Sequence, residues 1–424
     1  MKFRELLVKV SSEVAEYRRD IFNTIILGLI IGTRRKCIYH IFRTFQTLAE
    51  SIGLTEKRFY MFLQSSKIPL ERMWKVIYEL LGEEMLENGK IIIALDDTTY
   101  GKSGKKISGA STHYDHAAKQ NCSKYVWGHC RVVIGILKSI HGRWACLPLA
   151  QSLYIPVKNA GNKFETKIDA AGRLIGNFAK TVNYDILVIT DSWFGNNSLW
   201  KHLCDLPVKV HILTRLRINS ILYDFPDNSG ERKGRKRKYG EKFKKITELA
   251  LEMKRQTGQF MIYGKIRKCE YAEFKCMHKG FKAPVKIVLV YMKNRVFPIL
   301  STDTELTAQE MIETYSARWK IESGFKELKH EIGALDNQAR KKESVENHFE
   351  LCCMAVTMTW IYAMKREKAP TKRLQNLTTF TFADIREEIR KEYTDKSINF
   401  NGVCSKTLKR AGNIILNSFF REVA

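Results

Sequence analysis

The sequence predicts an α/β chain built around a mixed sheet flanked by helices, preceded by a helical segment and interrupted by a β-rich insertion. Two observations carry this. Apolar residues recur at helical spacing over residues 1–88, whereas from residue 90 onward short β-branched runs alternate with helical stretches. The 424 residues, 44% apolar and 11% aromatic, can bury a sizeable core, which excludes wholesale disorder. Lys and Arg number 72 against 45 Asp and Glu, a net charge of +27. Such a surplus points to a polyanionic partner, most simply nucleic acid, and excludes cationic ones.

The uncharged stretches 23–33 and 351–364 fall short of the roughly 20 apolar residues that span a bilayer, so no membrane partner is expected. The ten cysteines form no CxxC pair, which suits free thiols in a reducing cytoplasm. A cytoplasmic protein associated with nucleic acid, in a bacterium with its nucleoid, is the expectation.

The elements follow in order. Residues 1–88 form a helical DNA-binding domain, and 46–63 has helix-turn-helix character. Gly53 can end one short helix and Thr55 can cap the next, offering Lys57, Arg58 and Tyr60 to a major groove. An ordinary helical hairpin would show the same pattern. The run IIIALDDTT (91–99) predicts a buried strand ending in two carboxylates. RVVIGILKSI (131–140) and WACLPLAQSLYI (144–155) predict two more strands, followed by a helix over 163–182. DILVITDS (185–192) is a fourth strand, 199–204 a short helix and VKVHILTRL a fifth strand. The order β-β-β-α-β-α-β is that of a ribonuclease-H-like sheet.

Residues 89–218 thus hold the first part of a catalytic core, and 219–304 a β insertion domain. The insertion opens on a basic loop, 231–245, with nine Lys or Arg against two Glu. Arg235, Lys236, Arg237 and Lys238 are its candidate DNA contacts, although a solvated charge run reads the same way. A long helix resumes at Thr307, where Thr307 and Glu310 form a capping box. Residues 305–365 complete the core, and 366–424 form a helical C-terminal region suited to dimerisation.

Asp96 and Asp97 close the first strand, Asp191 closes the fourth and Glu322 sits in the long helix. Metal-assisted phosphoryl transfer uses carboxylates that bind two divalent cations, one at the attacking and one at the leaving oxygen. Oxygen ligands select Mg²⁺, with Mn²⁺ as a substitute. In this strand order the ends of the first and fourth strands are neighbours, so their carboxylates can converge. Alternation puts only one of Asp96 and Asp97 into the site, without saying which. On the helix, Tyr315, Glu322 and Lys329 recur every seven residues and share a face with Arg318. That stripe makes a poor core face, while an exposed Arg318–Glu322 ion pair is the bland alternative. Lys326 lies on the same helix.

The pattern Y-x2-R-x3-E-x6-K of Tyr315, Arg318, Glu322 and Lys329 resembles the signature of the bacterial insertion-sequence DDE transposases, family four and its relatives. LDDTT resembles their first catalytic block and VITDSWFGN their second, and the resemblance spans about residues 90–365. It implies that Asp97, Asp191 and Glu322 are the catalytic metal ligands. Tyr315, Arg318 and Lys329 would contact DNA phosphates. It further implies cut-and-paste transposition: metal-dependent cleavage at element ends, then strand transfer into target DNA, by a homodimer that pairs two terminal repeats. A nuclease without strand transfer and a catalytically silent DNA-binding derivative are the alternatives. Hairpin-forming relatives stack a flipped base on an insertion-domain aromatic, often Trp. Here no Trp lies between Trp200 and Trp319, so Tyr263, Phe260 or Tyr271 would have to serve.

The segment HYDHAAKQNCSKYVWGHC holds His113, His116, Cys122, His129 and Cys130. Its spacing fits no standard zinc finger. A β-hairpin connection, with contacts to DNA near the site, is the expected role.

Overall fold

The computed structural model describes residues 1–115, 118, 120–227, 236–292 and 295–394. Arg235, His116, the first part of the basic loop (231–235) and most of the C-terminal region (395–424) lie outside them.

Six helices come first: α1 (Phe3–Ser11), α2 (Glu16–Ile31), α3 (Ile38–Thr44), α4 (Gln46–Ser51), α5 (Glu56–Leu63) and α6 (Leu70–Leu81). Gly53, at φ +73°, turns the chain between α4 and α5, a conformation glycine adopts without strain. Thr55 stands at the N-cap of α5, but its side chain makes no capping hydrogen bond. Lys57 and Tyr60 are exposed and Arg58 is half-buried, with Phe59, Phe62 and Leu63 turned inward.

The sheet follows. Strand β1 (Leu86–Glu87) leads into β2 (Lys90–Gly101), β3 (Ser111–Tyr114), β4 (Tyr125–Ile140) and β5 (Arg143–Tyr154). Next come α7 (Val157–Ala160), α8 (Lys167–Ala179), β6 (Ile186–Thr190), α9 (Asn197–Leu203) and β7 (Val210–Arg215). β4 runs antiparallel to β2 and β5, while β6 and β7 run parallel to β2. The order β5-β4-β2-β6-β7 is the ribonuclease-H-like arrangement expected from the sequence.

The β-rich stretch contributes β8 (Leu222–Tyr223), α10 (Ile246–Glu252), β9 (Gln256–Ile262), β10 (Lys265–His278), β11 (Ala283–Met292) and β12 (Arg295–Ser301). These strands continue the core sheet, because β12 pairs antiparallel with β7 to give one 12-stranded sheet. The reason is physical: β7 would otherwise leave a row of unpaired backbone groups at the sheet edge.

The segment from Thr307 is not one long helix. Its capping box is formed, but α11 (Ala308–Ala317) ends in a tight turn at Arg318 and Trp319. α12 (Lys320–Lys326) then passes into a π-helical turn, Glu327–Glu331. α13 (Lys342–Met364) is buried nearly all round, with α1, α2, α5 and α6 packed on it. α14 (Phe382–Thr394) packs against α2 and α13. Among the described residues, no helix is long and apolar enough to cross a membrane.

Candidate active site

The two faces of β2 separate its paired aspartates. Ile92 and Ala94 pack with Ile189, Ala317 and Ile321, so their face of the strand is covered by α11 and α12. Asp96 continues that face; Asp97 is on the other. Gly324 lets α12 come close, since a Cβ there would lie 3.2 Å from the Cys146 Cβ.

In register, Leu95 lies opposite Thr190, so Asp96 and Asp191 are the next neighbours along two parallel strands. Asp191 turns the chain after β6: its Oδ1 accepts from the backbone N–H groups of Trp193 and Phe194, both at 3.0 Å. Arg318 Nη1 lies 3.4 Å from Asp96 Oδ2, and Nη2 lies 3.7 Å from Glu322 Oε1. Burial pushes the Asp96 carboxyl up to about 7; the nearby Asp191 charge adds to the rise and Arg318 opposes it. Glu322 is raised by burial, again against Arg318. Tyr315 is raised by burial and feels both Arg318 and Asp191. Lys329 Nζ donates to Thr99 O at 3.0 Å, and Lys326 is exposed one turn before it.

Asp97 has different company. Lys167, the first residue of α8, donates to Asp97 Oδ2 at 2.8 Å, and Cys130 Sγ lies 3.2 Å from the same oxygen. Burial raises the Cys130 thiol to about 11, with the Asp97 charge adding to it. The structure therefore brings Asp96, Asp191, Arg318 and Glu322 together and leaves Asp97 behind the strand. This reverses the facing that the family resemblance implies for the two aspartates.

Asp96, Asp191 and Glu322 offer oxygen donors only, which suits Mg²⁺ or Mn²⁺. Burial is what raises the Asp96 carboxyl, so a bound cation would offset the cost of holding its charge there. Among the described residues, no three His, Cys, Asp or Glu side chains stand within coordinating reach as they lie. Glu322 lies against Arg318, so metal binding would have to draw the three carboxylates together. On that condition the donor set fits a divalent cation.

A cavity of about 580 Å³ adjoins the site, lined by Arg215, Tyr263, Met292, Phe297 and Tyr315 among others. Of the three aromatics considered in place of a Trp, Tyr263 lines this cavity and is exposed. Phe260 is buried, with Tyr271 edge-on against it. A second cleft, about 860 Å³, is lined by Trp193, Arg215, Arg217, Lys242, Lys244 and Lys245. Arg215 thus borders both cavities at the end of β7, a position the strand order could have flagged. Lys236, Arg237 and Lys238 are exposed just before this second cleft's lysines.

His113 and His129 are buried, and His129 Nε2 hydrogen-bonds with Ser108 O at 2.9 Å, while Cys122 is exposed. β3 and β4 pair antiparallel here.

Residues 11–263 match the family model described as "DDE superfamily endonuclease", and residues 231–364 match "Archaeal putative transposase ISC1217". The chain is similar to a cryo-EM structure of a piggyBac transposase synaptic complex with hairpin DNA, at 12% identity and a TM-score of 0.42. The alignment covers 93% of this chain and 74% of that one. No curated protein matches the chain.

Proposed function

The chain belongs to the DDE superfamily endonucleases, and from that membership we propose that it is a transposase of the insertion-sequence type with the Y-R-E-K signature. Its reaction is metal-dependent cleavage of DNA at element ends, followed by transfer of the freed strand into target DNA. The convergence of Asp96, Asp191 and the signature residues Arg318 and Glu322 at one end of the sheet carries this reading.

Asp96, Asp191 and Glu322 hold the cations in this reading, and Asp96 takes the role that the resemblance gave to Asp97. Two Mg²⁺ ions would supply Lewis-acid activation of the attacking oxygen and charge neutralisation at the leaving one. The rest falls to the chain itself. Arg318, freed from the carboxylates, offers its guanidinium fork to a phosphate beside the scissile bond. Tyr315 borders that phosphate, and Lys329 and Lys326 hold the backbone further along as point charges. Pairing of two terminal repeats requires a homodimer.

Arg318→Ala is expected to slow single-turnover cleavage by about 10- to 150-fold, the worth of roughly 1.5–3 kcal/mol for a hydrogen bond to a charged group. Its melting temperature should barely change. A normal rate with a lowered melting temperature would reduce Arg318 to an ion pair for Glu322.

The decisive assay incubates labelled duplexes taken from the DNA on either side of the gene with supercoiled target and Mg²⁺. Joined products are expected; cleavage without joining would favour a plain nuclease. DNA affinity should also fall steeply with salt. Neutralising Lys236, Arg237 and Lys238 together should flatten the slope of log K against log salt by about 2 to 3, at roughly 0.9 per phosphate contact. An unchanged slope would make them a solvated face.

A further inference from the structure

Three aromatic side chains stand exposed on the β3–β4 projection, in the segment expected to contact DNA near the site. β4 outruns its neighbour: Gly101, the last residue of β2, lies opposite Gly128, and residues 125–127 continue beyond it with β3 as their partner. Tyr100 lies opposite His129, so by alternation Trp127 and Tyr125 stay on the face that carries Asp96. Tyr114 is directly opposite Tyr125. Tyr125 is 63% exposed, Tyr114 45% and Trp127 38%. The tyrosine rings meet edge to face at 5.6 Å, and Trp127 Nε1 donates to Gly104 O at 3.1 Å. These contacts fix the rings in place without covering them.

Cations surround this ledge. Lys124 adjoins Tyr125, and the loop held by Trp127 carries exposed Lys105 and Lys106. At the tip, just past Tyr114, Asp115 is near enough to the Lys329 ammonium to raise it, so the ledge borders the signature residues.

Exposed, fixed aromatics in such a cluster mark a binding surface. The lysines around them fit phosphates and disfavour a cationic partner. A duplex keeps its base faces stacked away from such rings, whereas unpaired bases stack on them readily. Val133 lies opposite Asp96, and Trp127 and Tyr125 are six and eight residues further along β4. At about 3.3 Å per residue they stand at most roughly 20 and 26 Å from the carboxylate. That is about six to eight nucleotides of helical spacing at 3.4 Å per nucleotide, fewer if the strand is stretched.

We propose that the β3–β4 ledge of Tyr114, Tyr125 and Trp127 binds unpaired bases of the DNA strand leading away from the reacting phosphate. The proposal deepens the DNA reading above and rests on it.

The test uses the full chain and fluorescence anisotropy with two labelled probes. One is a flush-ended duplex; the other is the same duplex with a single-stranded tail of about ten nucleotides, within the site sizes such surfaces accept. The tail is expected to improve wild-type affinity by about tenfold or more, since each stacked base adds to binding. Tyr114→Ala/Tyr125→Ala should lose that gain and keep flush-duplex affinity, while Tyr125→Phe should retain it. A gain that survives the double alanine change overturns the ledge, as does a double variant that alters the mass of the protein in solution, which would make the patch an interface between copies. Failure of the wild type to bind the flush duplex would instead overturn the DNA reading itself.

Discussion

Asp96→Ala is expected to cut strand cleavage by more than about a thousandfold, a loss of about 4 kcal/mol of transition-state stabilisation. Asp191→Ala and Glu322→Ala should do the same, with duplex affinity little changed, because binding rests on phosphate contacts made elsewhere. Asp97→Ala should leave the rate within about tenfold. Its carboxylate faces Lys167 and Cys130 on the α8 side of the strand. Each partner of that pair is only about a quarter exposed, so breaking it should cost more stability than the ~1 kcal/mol of an exposed pair while leaving the site's metal ligands in place. Single-turnover cleavage in Mg²⁺ by the four variants decides the matter. Should Asp97→Ala abolish cleavage and Asp96→Ala spare it, β2 would have to present its other face in the active state.

The sequence made the core sheet legible because its strands are buried and β-branched. IIIALDDTT and DILVITDS announce themselves, and their order admits few topologies. Alternation said that one aspartate of the pair would enter the site. Which one depends on the layer that covers Ile92 and Ala94, and only the packing of Ala317 and Ile321 decides that. The heptad spacing of Tyr315, Glu322 and Lys329 suggested a straight helix. Packing overrode it, with a tight turn at Arg318 and Trp319 and a π-helical turn after Lys326. Arg318 and Lys329 still reach the end of β2, as the spacing implied. The β insertion was legible as strands, but its fusion to β7 was not, since an open sheet edge leaves no mark in a sequence. Lys167 was missed because a lysine at a helix start looks solvated until Asp97 is seen beneath it.

Arg131→Leu is expected to destabilise the fold by up to about 3–5 kcal/mol, the cost of breaking a buried pair, the upper end being tempered because the Glu346 side chain keeps 29% of its surface exposed. Arg131 is fully buried in β4, two residues from the position opposite Asp96. Its Nε donates to the Tyr100 hydroxyl at 2.9 Å, and its Nη1 to Glu346 Oε2 at 2.9 Å and to Gln151. The guanidinium also stacks 4.3 Å from the centre of the Phe349 ring. One side chain thus ties β2, β4 and β5 to α13. Burial alone would raise the Glu346 carboxyl, but Arg131 and Gln151 outweigh it and hold it below its ordinary value. A depressed carboxyl contributes stability above its unfolded pKa, and that contribution fades as pH falls through the folded value. Wild-type melting temperature should therefore drop on acidification from neutral pH, and part of that drop should vanish in Arg131→Leu. The double variant Arg131→Leu/Glu346→Leu should regain much of the loss, because a buried ion pair replaced by apolar residues of similar size is often neutral. Thermal melts of the wild type and the two variants test this. A double variant no more stable than Arg131→Leu would mean that the Tyr100, Gln151 and Phe349 contacts, rather than the ion pair, hold the sheet to α13.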